Sequence, residues 1–286
     1  MDMLNIGDLT KPATVLVEKV CNAVGILYEP TRIISKARAE AQAAAIMAHS
    51  ALDITEIEQR GLERLIRQEG RKQGNIESIT MQAAALVSPD ANPTDMSEDW
   101  IADVFSKCEN VSDAEMQVMW ARLLAGEADS PGSFSKRTVE VVSLLDKVDA
   151  YIFNEFCQFV WVREIDSFPF ISSWSLPILH KFGFDTSTRV RLAEAGLLSQ
   201  TSTNVYALPA MAWKDARARV VYPKISVCFT GMSTETAQVT SVGEGILTRA
   251  GREIFRISSP AHNEEYPLHS LQFWKEGGLG LSIAEE

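Results

Sequence analysis

SDAEMQVMWARLLAGEADSPGSFSKRT, residues 112–138, carries the reading of the fold. Ser112 and Glu115 have the spacing of a capping box, which predicts a helix from there to about Ala128. Pro131 and Gly132 then break the chain, and Ser133 or Ser135 can cap a second helix through Val139, Val142 and Leu145. Upstream, a helix is expected from Ser97 to about Lys107, with Trp100 and Phe105 on its apolar side. Downstream, Asp146 or Asp149 starts a further helix that ends in the aromatic run Phe153, Phe156, Phe159 and Trp161. Four short capped helices in sequence predict a compact helical domain over residues 91–165.

Toward the N-terminus the pattern lengthens. Pro12 follows a Thr10 cap, Leu16, Val20, Val24 and Leu27 recur at helical spacing, and Pro30 is expected to end that helix. From Thr31 to Val87 there is no proline and only Gly61, Gly70 and Gly74 interrupt a helical composition. Unbroken from Thr31 to Gln73, this helix would be about 60 Å long; a break near Leu52–Thr55, with Asp53 capping a new helix, fits equally well. Residues 1–90 are therefore expected to form a helical arm. Ser88–Asp95, with Pro89, Asn92 and Pro93, reads as a linker.

Beyond Phe168 the texture changes to short β-prone runs, Val205–Leu208, Val220–Phe229 and Val239–Leu247, mixed with helices at Thr186–Leu198 and Arg249–Ile257. A strand pair is expected around Thr201–Asn204. The order helix, Gly-Leu-Leu, hairpin, Leu-Thr-x-x-Gly, helix is how many winged-helix domains read. The expected fold is thus mainly α: a helical N-terminal half with a long arm, plus a smaller α+β, winged-helix-like C-terminal half over 166–286.

Composition narrows the function classes. The 286 residues carry a formal net charge of -11, so a polyanionic partner is disfavoured for the molecule as a whole. Cys21, Cys108, Cys157 and Cys228 are scattered without redox or zinc spacing, and the first ten residues lack signal-peptide character, so a reducing cytoplasmic setting is expected. The amphipathic stretch Val15–Tyr28 is too short and too charged to span a membrane alone, and packing explains its apolar stripe better than lipid.

Three sets of residues invite a functional reading. Ser133, Ser135, Lys136 and Arg137 sit at a helix start beside Gly132, where backbone N–H groups and cations can hold a phosphate; a turn with a serine cap is the plainer account. Arg60, Arg64, Arg67 and Arg71 share one helix face suited to an acidic partner. Glu56 and Glu63 stand four residues before Arg60 and Arg67, which favours a solvated face of intrahelical pairs. Arg189, Arg191, Arg217 and Arg219 lie near the winged-helix-like pattern and are the candidates for nucleic-acid contact. His262, Glu264, Glu265 and His269 match no metal motif, and Pro260 and Pro267 argue for a loop there. Gly243-Glu244-Gly245 is no dinucleotide loop, and the acidic pairs Asp146/Asp149 and Glu127/Asp129 read as caps and surface. No catalytic constellation, cofactor or metal site is implied.

The segments Asn75-Ile76-Glu77, Asp99-Trp100, Met116 to Ala121, Leu123 to Glu127, Pro131 to Thr138, Asp149-Ala150 and Phe153 together resemble the central signature of the DUF2806 family of bacterial proteins of unknown function. Pro12–Ala45, with Gly25, Pro30 and an Ala-Glu-Ala-x-Ala run, is similar to that family's entry segment. A fainter resemblance joins the Leu-Leu-Ala helix, the serine-rich turn and the late Leu-Thr-x-x-Gly to the abortive-infection alpha family, which implies a role in phage defence. Neither resemblance transfers a catalytic residue. The function expected is a non-enzymatic interaction protein that pairs with itself or another protein through its arm. A nucleic-acid-binding regulator and an enzyme or sensor taking a phosphate-bearing ligand at Gly132–Thr138 stand as alternatives.

Overall fold

The computed structural model describes residues 9–25, 55–164, 167–199, 205–209, 219–232 and 239–285. The chain divides into two compact units, Met1–Ser143 and Leu144–Glu286. A boundary expected at residue 90 thus falls inside the first unit, and one at 165 inside the second.

In the first unit, α1 (Lys11–Val24) is capped by Thr10, whose hydroxyl accepts from the Ala13 N–H, and buries Ala13, Leu16, Val17 and Val20. It ends at Gly25, earlier than Pro30, because Gly25 takes a left-handed φ of 73° and returns its N–H to the Cys21 carbonyl. The rest of the Val15–Tyr28 stretch and the alanine-rich residues up to 54 lie outside the described residues. Helix α2 (Glu56–Leu86) opens on a capping box formed by Thr55 and Glu58. At 31 residues it is about 46 Å long, and Gly61, Gly70 and Gly74 do not break it. Only its second half, Asn75, Ile76, Ile79, Thr80, Ala83 and Ala84, is buried.

Helices α3 (Glu98–Cys108) and α4 (Ala114–Asp129) complete that core with α5 (Lys136–Leu144). The cap of α4 is Asp113, whose carboxylate accepts from the Glu115 and Met116 N–H groups, and not Ser112. Ser112 is diverted by tertiary structure: its hydroxyl meets Asn75 on α2. Asn75 Nδ2 also donates to the Glu109 carbonyl at 2.8 Å, and Gln117 Nε2 donates to Asn75 Oδ1 at 3.1 Å and to the Val111 carbonyl at 2.8 Å. Ser78 closes the network on Gln117 Oε1 at 2.8 Å. This buried polar cluster locks α2 to the α3–α4 turn, since each member left unpaired would cost its desolvation.

The second unit begins with α6 (Lys147–Phe156), capped by Asp146, and a short 3-10 turn at Cys157–Phe159. Seven described strands form one antiparallel sheet in the order β3-β6-β2-β1-β4-β5-β7. They are β1 (Trp161–Arg163), β2 (Phe168–Ile171), β3 (Val205–Pro209), β4 (Arg219–Tyr222), β5 (Ile225–Met232), β6 (Val239–Ile246) and β7 (Leu279–Glu285). Trp161 therefore opens a strand and does not close a helix. The single run read at Val220–Phe229 is two strands turned at Pro223-Lys224. The pair expected at Thr201–Asn204 lies outside the described residues.

Short helices α7 (Pro177–Lys181) and α8 (Thr186–Glu194) precede Leu198, which bridges to Leu247. Thr248 caps α9 (Arg249–Phe255) and gives its hydroxyl to the Gly196 carbonyl at 2.6 Å. A Cβ on Gly251 would lie 2.1 Å from the Leu197 carbonyl oxygen, so the Leu-Thr-x-x-Gly pattern is a docking device for the Gly-Leu-Leu turn. The loop read around Pro260 and Pro267 holds through Glu264, and helix α10 (Glu265–Glu276) then takes over: Pro267 sits in its first turn, where a missing N–H costs nothing. Its Tyr266, Ser270 and Trp274 form the aromatic core with Trp161, Phe159 and Phe229. Trp161 Nε1 donates to Ser270 Oγ at 3.0 Å and Trp274 Nε1 to the Val242 carbonyl at 2.7 Å, which satisfies both buried indoles. The described chain is mainly helical with one antiparallel sheet, as the composition and periodicity imply.

Candidate functional site

The first half of α2 departs most from ordinary packing. From Glu56 to Gly74, about 28 Å of helix, no side chain is fully buried. The wheel explains what this leaves open. Leu62, Leu65 and Ile66 continue N-terminally the face that Ile76, Ile79, Ala83 and Ala84 bury in the core. Leu65 is 52% exposed, Ile66 51% and Ile57 71%. An apolar seam that runs on past the end of its own core is the usual preparation for a partner.

Arg60, Arg64, Arg67 and Arg71 are all exposed and line, with Glu63 and Gln68, a surface concavity of about 480 Å³. The pairs expected from Glu56 to Arg60 and from Glu63 to Arg67 do not form, and none of the four arginines has an ion-pair partner among the described residues. Exposed pairs at this spacing contribute a few tenths of a kcal/mol, too little to hold two long side chains together. Only Lys72, at the edge of the core, is tied, to Glu109 at 2.9 Å and Glu69 at 3.2 Å. Those two carboxylates raise its pKa through their hydrogen bonds.

At the Gly132–Thr138 turn the anion-holding groups are already used. Glu127, 2% exposed, accepts from the Gly132 N–H at 2.6 Å and the Phe134 N–H at 2.9 Å. It is not surface, as its sequence neighbours suggested, but the chain's own carboxylate seated where a phosphate would sit. Ser133 donates to the Gly126 carbonyl, and Ser135 caps α5 through the Thr138 N–H. Lys136 and Arg137 point from exposed positions on the first turn of α5. Asp129 accepts from the Ser88 N–H at 2.8 Å, which fastens the linker after α2.

The arginines of the second unit are scattered among internal partners. Arg191 pairs with Asp149 at 2.6 Å and Asp146 at 3.6 Å. Arg219 reaches Glu164 at 3.2 Å, and Arg189 lies over the Trp174 ring at 5.5 Å. Arg217 lies outside the described residues. Glu244, in β6, accepts from Ser173 and the Trp174 N–H, so the Gly243-Glu244-Gly245 run serves the sheet. Among the described residues no three His, Cys, Asp or Glu side chains are grouped to hold a metal ion, and no helix is long and apolar enough to cross a membrane.

The exposed apolar edge of α2 went unread in the sequence. Its signal was present in the spacing of Leu62, Leu65 and Ile66, but only the core's end point shows that the seam is uncovered.

A family model described as a protein of unknown function, DUF2806, matches residues 59–270. No curated protein and no solved structure matches the chain.

Proposed function

From the premise that the chain belongs to the DUF2806 family, whose description assigns no activity, we propose that it is a non-enzymatic interaction protein that pairs with a second copy of itself through the first half of α2. The observation that carries this reading is the uncovered seam of Leu62, Leu65 and Ile66 on one face of α2, with four arginines that have no ion-pair partner among the described residues on the opposite face. A second copy fits better than a polyanion. The stretch Glu56–Gly74 holds five cations (Arg60, Arg64, Arg67, Arg71, Lys72) and four carboxylates (Glu56, Glu58, Glu63, Glu69), so its charge is nearly balanced and a second copy meets little net repulsion there. The chain's net charge of -11 repels nucleic acid at long range.

Light scattering and sedimentation velocity at micromolar concentration test it. The wild type is expected to self-associate, and Leu65→Asp with Ile66→Asp to be monomeric with an unchanged circular dichroism spectrum, since both positions are exposed in the single chain. A wild type that stays strictly monomeric refutes the proposal.

The nucleic-acid alternative has one observation in its favour: α7, the turn at Gly183 and α8 precede the Leu198–Leu247 bridge in a winged-helix-like order. Against it, the cation nearest a recognition position, Arg191, is neutralised by Asp149. A phosphate-bearing ligand at Gly132–Thr138 would first have to displace Glu127. A part in phage defence rests on the resemblance to the abortive-infection alpha family alone.

A further inference from the structure

We propose that the second unit holds a binding site for a small amphipathic carboxylate, an acyl or aryl body ending in one negative charge. The site is a cleft of about 650 Å³, within the range of small-molecule pockets. Val160 and Val162 at β1, Val221 on β4, Phe255 at the end of α9, and the Pro260-Ala261 loop give it apolar walls. Among the described residues no aspartate or glutamate lines it.

The polar groups of its floor are consumed among themselves. The Tyr222 hydroxyl shares its one proton between the Gln158 and Asn263 carbonyls, 2.7 and 3.0 Å away. Gln158 Oε1 accepts from Asn263 at 2.9 Å while its Nε2 donates to the Glu155 carbonyl. Ser258 donates to the Ile254 carbonyl, and the Cys157 thiol is hydrogen-bonded to Ser258. What remains to read a ligand's polar end is the rim, where Lys224 and His262 are both exposed. His262 packs against the Tyr222 ring, with centroids 5.7 Å apart. Among the described residues no carboxylate pairs with Lys224.

Lys224 also occupies a position that argues for its charge. Tyr222 faces Ile225 across the β4–β5 hairpin, so Pro223 and Lys224 alone make the turn, and Lys224 takes a φ of 65°. Proline followed by a left-handed residue is a turn in which glycine or asparagine is free of strain and lysine is not. Backbone strain retained at the mouth of a cleft, on the side chain that supplies its cation, is the pattern of a ligand site. The apolar walls take the body of the ligand, and the Lys224 ammonium takes the carboxylate.

Isothermal titration of the full chain with decanoate, decan-1-ol and acetate tests the assignment. Decanoate is expected to bind saturably at one site, decanol about ten-fold more weakly, and acetate not measurably. Lys224→Gly keeps the turn and removes the ammonium: decanoate should weaken about ten-fold, decanol should be unchanged, and the melting midpoint should hold or rise. Ala261→Trp fills the cleft from its exposed edge and should abolish both. The assignment is overturned if decanoate gives no saturable heat, or if either variant leaves its affinity unchanged. A lowered midpoint for Lys224→Gly also overturns it, because the turn would then require lysine for folding.

Discussion

Replacing Glu127 by alanine isolates the role of the Gly132–Thr138 turn. The substitution removes the acceptors of the Gly132 and Phe134 N–H groups together. An orphaned buried N–H costs about 1–3 kcal/mol. Phe134 is buried and incurs most of that, whereas Gly132 is exposed and water can replace its partner. The expected loss is therefore about 1–3 kcal/mol. For a first unit that spans Met1–Ser143, that is a fall of roughly 3–10 °C in the melting midpoint, read by circular dichroism or scanning calorimetry. The vacated pair of N–H groups at a helix start is then open to an external anion. Inorganic phosphate at ten times its dissociation constant would restore about 1.4 kcal/mol to Glu127→Ala and nothing to the wild type. A loss under about 1 kcal/mol would refute the reasoning, as would a phosphate shift equal in both proteins.

Glycine substitutions separate docking from plain helix. Gly251→Ala drives a Cβ into the Leu197 carbonyl and should cost more than about 2 kcal/mol in chemical denaturation. Gly70→Ala, in an exposed helix interior with open space around it, should stabilise by about 0.5–1 kcal/mol. Alkaline pH should weaken the fold. Burial pushes the Cys108 and Cys157 thiols and the Tyr266 phenol up to about 12. Their unfolded counterparts ionise near 9 and 10. The protonated forms thus favour the native state fully below about pH 8. That contribution is lost as pH rises toward 12, and a urea midpoint that stays flat over this range would count against it. At pH 8 the same burial should leave Cys108 and Cys157 slower to alkylate than the half-buried Cys21 and Cys228, as mass spectrometry would record.

Local rules reached far along this chain. Thr10, Ser97, Asp146 and Thr248 announce their helices because a cap needs only a side-chain oxygen and the next turn's N–H groups. The helical middle and the shift to β structure were legible for the same reason: each depends on neighbours within a few residues.

Long-range partners decided the rest. Ser112 has every local qualification for a cap and is taken by Asn75, 37 residues away. Glu127 looks like surface in an acidic chain, yet the fold buries it against the Gly132–Phe134 turn. No spacing rule brings Lys224 to the rim that Pro260 and His262 share, because the hairpin and the α9–α10 loop meet only when the sheet forms. Nor does periodicity alone mark Leu65 and Ile66 as uncovered. An apolar seam reads the same whether or not a core stands opposite it, and only tertiary packing says where that core stops.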